Sequence, residues 1–204
     1  MREKILEGVH GLFLQYGVRS VSMDDVASRL SVSKKTLYQH FTSKDELVNE
    51  AVKIHIAGER EQFSTIATKS KDAIEELLNI TVCLREHVFK VNPSLLFDLQ
   101  KFHAEAWAIV ETFKKEFLMD QFTKNIVRGI SEGFYRPEID PKIIATIRIE
   151  TVQFAFDERI FPRAEYNFQA VQLQMMDHFT HGLLSDKGRE TYQHYHQVAL
   201  KSTN

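Results

Sequence analysis

Arg29, Lys34, Lys35 and Lys44 fall within residues 26–44, and no Asp or Glu stands among them. That window carries +4 in a chain of formal net charge −2, so the remainder sums to −6. A local cationic face on an acidic protein attracts phosphates at long range and pairs with them on contact, which points to a nucleic-acid backbone as partner. Ser33, Thr36, Tyr38 and His40 are interleaved with the lysines and add hydroxyl and ring hydrogen-bonding groups. Two other constellations carry weaker chemistry. Gly129, Ile130, Ser131, Glu132 and Gly133 spell G-x-S-x-G, but a nucleophile elbow needs a strand before the serine, and this one lies near a helix end with Pro137 following. A metal reading could use His178 and His181, with Asp177, or His194 and His196, yet a metal site wants more ligands and a supporting layer of hydrogen bonds. The sequence therefore implies no enzyme, no metal and no cofactor.

Three serines mark the elements that must hold the cations. Ser22 with Asp25 three residues later, Ser33, and Ser43 with Glu46 three later each offer a hydroxyl to first-turn N–H groups, and the two acids complete box-like caps. Starts this close predict very short helices. Val26, Ala27 and Leu30 face inward from the first, Leu37, Tyr38 and Phe41 from the second, and only Ser31 and Val32 separate them. Two short helices joined by so tight a turn make a helix-turn-helix. Before it, Ile5, Val9, Leu12, Phe13 and Tyr16 form one stripe of an amphipathic helix that ends near Gly17.

The rest of the chain predicts an all-α body. Eight Gly and four Pro in 204 residues leave few helix breakers, and no alternating strand pattern of useful length occurs. A helix from Asp45 continues past Gly58 toward Ile66 and serves as a connector. The spacing of Leu96, Leu99, His103, Ala106, Val110, Phe113 and Phe117 predicts one long buried helix after a break at Pro93. Another helix spans about residues 121–133, and Asp140 with Pro141 starts the next. Ile143, Ile147, Glu150 and Phe154 share a face of that helix, and Phe168, Val171, Met175, Phe179 and Leu183 a face of the last long one. No apolar run approaches the roughly 18 residues of a spanning helix, which excludes membrane insertion. The single cysteine, Cys83, and the lack of a leader pattern place the chain in a reducing cytosol.

Residues 20–49, SVSMDDVASRLSVSKKTLYQHFTSKDELVN, resemble the DNA-binding motif of the TetR/AcrR family of bacterial transcriptional regulators. The resemblance rests on Asp24 and Asp25 before Val26 and Ala27, on Val32 and Ser33, on Thr36, Leu37 and Tyr38, on Phe41, and on Lys44 with Leu47. It departs at Ser31, where the family usually has Gly and a left-handed backbone strains any other residue. It departs again at Lys35, where a small residue is common.

The resemblance implies an N-terminal three-helix DNA-binding domain over residues 1–46 and a helical regulatory domain over residues 47–204, joined through the helix that starts near residue 45. It implies a reading helix in the major groove, with Ser33, Lys34, Lys35, Thr36, Tyr38, His40 and Lys44 at the DNA, Lys34 and Lys35 reading bases and the others the backbone. It further implies a bacterial, cytoplasmic homodimer on a near-palindromic double-stranded operator, with Ile143, Ile147, Phe154, Phe168, Val171, Met175, Phe179 and Leu183 at the dimer interface. An unidentified apolar or aromatic effector would lie among Phe97, Phe102, His103, Trp107, Phe113 and Phe117, and repression relieved by that ligand is the default mechanism. Glu150 is the other polar candidate inside the body, with Arg148 or an arginine across the dimer as its partner. The competing class is a helical protein–protein interaction module with little DNA binding.

Overall fold

Ser22, Ser33 and Asp140 cap helices where the sequence places them, and their hydroxyl or carboxylate oxygens accept from first-turn amides. The computed structural model describes residues 1–88, 92 and 94–201, with the side chains of 86–88 and 196–201 not described. The break expected at Pro93 lies outside the described residues. All described elements are helical, apart from one isolated bridge between Tyr135 and Leu184. No helix among the described residues is long and apolar enough to cross a membrane.

Two compact units divide the chain. The first comprises residues 1–60 and 89–113 and contains α1 (Arg2–Tyr16), α2 (Met23–Arg29), α3 (Lys34–His40), the start of α4 (Lys44–Lys69), α6 (Leu95–Phe102) and α7 (Ala104–Thr112). Its core joins Ile5, Leu6, Val9 and Phe13 of α1 to Val26 and Ala27 of α2, Leu37 of α3, Phe41, and Leu47, Val48 and Ala51 of α4. Leu99 and Ala106 are buried in the same cluster, so residues 89–113 belong to this unit although they are distant in sequence. A functional boundary after residue 46 thus falls inside both α4 and the first compact unit. Gly17 ends α1 at φ 78, a left-handed conformation that glycine adopts without a Cβ clash.

The second unit holds the end of α4, α5 (Ala73–Val88), α8 (Met119–Ser131), α9 (Pro141–Phe154), α10 (Phe168–Leu183) and α11 (Asp186–Lys201). Phe63, Ile74, Leu77, Phe122, Ile126, Tyr135, Ile149, Met176 and Leu183 contribute to its core. A polar network runs through one side of that core. Asn125 Nδ2 donates to the Ala73 carbonyl at 3.1 Å, and the Tyr135 hydroxyl lies 3.0 Å from both that carbonyl and Asn125 Oδ1. Arg128 joins Glu132 at 2.8 Å, Glu76 at 3.2 Å and the Lys71 carbonyl at 2.6 Å. The Tyr135 ring lies directly against Gly129, where any Cβ would collide with it.

Two expectations about the helices need correction. The single long helix expected from Leu96 to Phe117 is broken at His103, whose backbone (φ −133, ψ 67) leaves the helical region. The ring of His103 instead meets Asp45 Oδ1 at 2.6 Å, a contact that apolar spacing cannot reveal. A π-helical turn, Phe113–Leu118, then carries the chain from α7 straight into α8, so no break precedes the helix expected near Gln121. The helix ending at Leu183 is also not the last. α11 follows, and it escapes an apolar-stripe reading because its contributions to the core are the amphipathic Tyr192 and Tyr195. Its start was legible as Ser185, whose hydroxyl accepts from the Gly188 amide at 3.1 Å.

Candidate nucleic-acid interface

Helix α3 is short because its ends are specified by chemistry. Ser33 Oγ accepts from the Thr36 amide at 3.0 Å and lies 2.8 Å from Thr36 Oγ1, while Phe41 leaves the helix in extended backbone. Leu37 and Phe41 are fully buried and anchor the helix, so its other faces are presented to solvent. Lys34, Lys35, Tyr38 and Gln39 are exposed, and Thr36, His40 and Lys44 are half-buried. Six of the seven residues expected at the DNA lie on α3 and its cap, and the seventh, Lys44, opens α4. Gln39, outside the expected set, is also exposed on α3. Its amide can donate to and accept from a base edge, and its place beside Tyr38 was the available signal.

The turn before α3 has the predicted strain. Ser31 sits at φ 54, in the left-handed region, and the Val32 amide returns to the Ala27 carbonyl at 3.0 Å to close the corner. Helix α2 is held by a reciprocal cap in which the Asp25 amide meets Ser22 Oγ at 3.1 Å and the Ser22 amide meets Asp25 at 2.9 Å. These bonds, led by the Ser22 hydroxyl, hold the Asp25 carboxyl below its ordinary range. Glu46 makes a variant of the box: its amide donates to Ser43 Oγ, and its carboxylate accepts from the Thr42 amide rather than from that of Ser43.

Electrostatics separate the cations. Lys34 Nζ pairs with Asp24 at 2.7 Å, an exposed contact that raises the lysine pKa and that adds little to stability. It must open before Lys34 can meet a phosphate or a base. Lys44 is the more buried cation, and burial pushes its pKa down against the opposing pull of Asp98, Asp45 and Asp25. A partly dehydrated ammonium at the start of α4 gains more from a phosphate than a fully solvated one.

Residues 5–51 match the family model of bacterial regulatory proteins of the tetR family. The N-terminal helix-turn-helix segment, about a quarter of the chain, is thus similar to the DNA-binding domain of the TetR family. Among the chain's relatives, the HTH-type transcriptional regulator YvaF of Bacillus subtilis is 32% identical over 117 residues, 57% of this chain and 61% of its own length. The match to that relative thus spans about three fifths of it. The HTH-type transcriptional repressor KstR2 of Mycobacterium tuberculosis is 21% identical over 150 residues, 70% of this chain and 73% of its own. A solved transcriptional regulator from Saccharomonospora viridis, in complex with choline, shares the fold with a TM-score of 0.62 at 21% identity, covering 90% of this chain and 97% of that one.

The residues expected to form a TetR-family effector pocket are not brought together. Phe97 and Phe102 are exposed on α6, with Lys101 Nζ 5.3 and 5.4 Å from their ring centroids. His103 is spent on Asp45, Trp107 packs against the first core, and Phe113 is buried beneath the Arg60 guanidinium. Phe117 packs against the second core. A groove of about 460 Å³ between α4 and α7 is lined by other side chains, among them Ile56, Arg60, Glu105 and Ile109.

The expected interface residues also separate by environment. Ile143, Ile147 and Phe154 are 59, 50 and 46% exposed along one face of α9. Phe168 and Leu183 are buried in their own subunit, Phe179 packs on that core, and Val171 and Met175 are half-buried. Glu150, expected inside the body, is half exposed and lies 3.8 Å from Lys114 rather than from Arg148. Two residues of helix turn opposite ways, so Glu150 shares the outer face and Arg148 the inner one.

In the G-x-S-x-G segment, Ser131 closes α8 and donates to the Arg128 carbonyl at 2.8 Å. Helix precedes the serine, where a nucleophile elbow requires strand.

Proposed function

We propose that the protein is a transcriptional repressor in the bacterial cytoplasm, binding a near-palindromic operator as a homodimer and releasing it when a small molecule binds. One observation carries the reading: α3 presents Lys34, Lys35, Tyr38 and Gln39 together from a capped helix-turn-helix whose own core occupies its other face. Such a helix fits the major groove, with Lys34, Lys35 and Gln39 toward base edges and Ser33, Thr36, Tyr38, His40 and Lys44 toward phosphates. Asp24 screens Lys34 in the free protein, so DNA replaces one carboxylate by several phosphates.

A second copy would cover Ile143, Ile147 and Phe154, an apolar stripe that its own chain leaves bare. Helix α4 belongs to the head over residues 44–60 and to the second unit from residue 61, so a ligand-induced change in the second unit reaches the head along a continuous backbone. The Asp45–His103 pair and the 2.6 Å bond from Asn49 to Glu105 tie α4 to the break before α7 and to α7 itself. A ligand that prefers the conformation with mis-spaced heads weakens DNA binding by its difference in affinity for the two states.

The test is binding to the DNA upstream of the protein's own gene against scrambled DNA of equal length, across a salt series. Preferential binding that weakens with salt, at a logarithmic slope of about −0.9 per phosphate neutralised, supports the reading. Lys34→Ala is expected to narrow the preference between operator and scrambled DNA, and Lys44→Ala to weaken both alike. Weak binding indifferent to salt and sequence would favour an interaction module instead.

A further inference from the structure

Arg148 is the one strongly buried cation of the second core that no described residue satisfies. It projects from α9 between Ala145 and Ile149 in sequence, is 3% exposed, and its Nε and Nη1 have no hydrogen-bond partner among the described residues. Burial alone pushes its pKa down to about 10, and no acid offsets that penalty. Its guanidinium carbon lies 5.8 Å from the ring centroids of both Phe122 and Phe179, which supply π-faces but no hydrogen-bond acceptor.

Buried charges in folded proteins are paired, and a guanidinium left with open donors signals a missing acceptor. The other buried charge among the described residues of this unit obeys the rule: Glu76 is met by Arg128 at 3.2 Å. A second copy of the chain is a poor candidate for the acceptor at Arg148. The exposed stripe of α9 is Ile143, Ile147 and Phe154, whereas Arg148 lies on the buried face with Ala145 and Ile149.

We propose that Arg148 is the anchor for the carboxylate of a small organic acid, whose apolar or aromatic body packs beside Phe122 and Phe179. The inference rests on the reading of the protein as a ligand-responsive regulator and names the chemistry of that ligand. Guanidinium is the side chain best matched to a planar carboxylate, and aromatic walls with a single charged anchor select an acid over the corresponding alcohol.

The probes are 4-phenylbutyrate and octanoate, each set against its alcohol, 4-phenylbutanol and octanol, with thermal melting and calorimetric titration of the full chain at neutral pH. At least one acid is expected to raise the melting temperature and bind, its alcohol about tenfold or more weakly. Arg148→Met is expected to melt higher than wild type without ligand, since an unpaired buried charge is gone, and to lose the acid response. Arg148→Lys keeps the charge but not the planar fork, and is expected to respond more weakly than wild type. Equal response to acid and alcohol, no response to either acid, or an undiminished acid response in folded Arg148→Met overturns the proposal. So does a high-resolution crystal structure in which ordered water alone satisfies Nε and Nη1 in the presence of the acids.

The same samples are tested on operator DNA. DNA binding without acid binding sinks this inference alone, whereas acid binding without DNA binding leaves the anion site standing and removes the regulatory reading.

Discussion

The two compact units handle polar chemistry in opposite ways. In the first, the buried cluster is apolar, the buried polar side chains Asn49 and Asp98 are paired with Glu105 and the Arg19 amide, and the groups that could do chemistry, from Lys34 to Lys44, are displayed on the surface by caps and a tight turn. In the second, hydrogen-bonding side chains are drawn inside: Tyr135, Asn125 and Glu76 form a satisfied network, and Arg148 stands apart from it unsatisfied. A surface meant for DNA needs donors in water and a rigid scaffold beneath them. A site meant for a small molecule needs donors already out of water, where each contact is worth more.

The sharpest way to break this contrast is to remove apolar support from the head. Phe41→Ala is expected to cost about 3–5 kcal/mol, because the ring is fully buried among α1, α3 and α4 residues. Thermal melting followed by circular dichroism should show the loss together with abolished DNA binding. A loss below about 1 kcal/mol would mean that the head does not depend on that core.

In the second unit the comparable change is polar. Tyr135→Phe keeps the ring against Gly129 but leaves Asn125 Oδ1 without its hydroxyl donor, at an expected cost of about 1–3 kcal/mol in urea unfolding. A neutral result would show that the network is decorative and that this unit, like the first, is held by apolar contact.

Smaller effects sharpen the account of the head. Ser31→Gly is expected to stabilise by about 0.5–1 kcal/mol, since glycine relieves the left-handed strain at φ 54 while costing some unfolded-state entropy. The urea midpoint should rise with an unchanged slope. Asp25→Asn concerns pH. Because the folded carboxyl titrates below its ordinary value of 3.8, its contribution is present above that value and is lost as pH falls through the folded pKa. Wild type and variant should therefore differ most near neutrality and converge in acid, as read from melting temperatures between pH 7 and 3.

Most of the head was legible in the sequence because its determinants are local. Ser22, Ser33 and Asp25 act on amides within three residues, and the spacing names Val26, Ala27, Leu37 and Phe41 as buried, although Tyr38, read inward with them, is 50% exposed. The misreadings have one cause: apolar periodicity reports that a position is buried, not what it is buried against. His103 held its place in a regular stripe yet broke the helix to meet Asp45, 58 residues away. Phe113 and Phe117 sat four apart in that stripe, yet Phe113 is buried beneath Arg60 and Phe117 packs against the second core. Val171, Met175 and Leu183 were indistinguishable in sequence from interface residues until the burial of Leu183 in its own subunit separated them.

Strain at Ser31 was implied only by the family resemblance, whereas by itself the sequence determined the all-α class, the capped helix-turn-helix and the cationic run on α3. Those follow from short-range hydrogen bonding, backbone sterics and charge counting, which need no partner distant in the chain. Only the tertiary structure decided that residues 89–113 complete the first unit, that Lys34 is paired with Asp24, and that Arg148 rather than Glu150 turns inward on α9. Those outcomes depend on which faces meet across tens of residues, and on whether a buried donor finds an acceptor there.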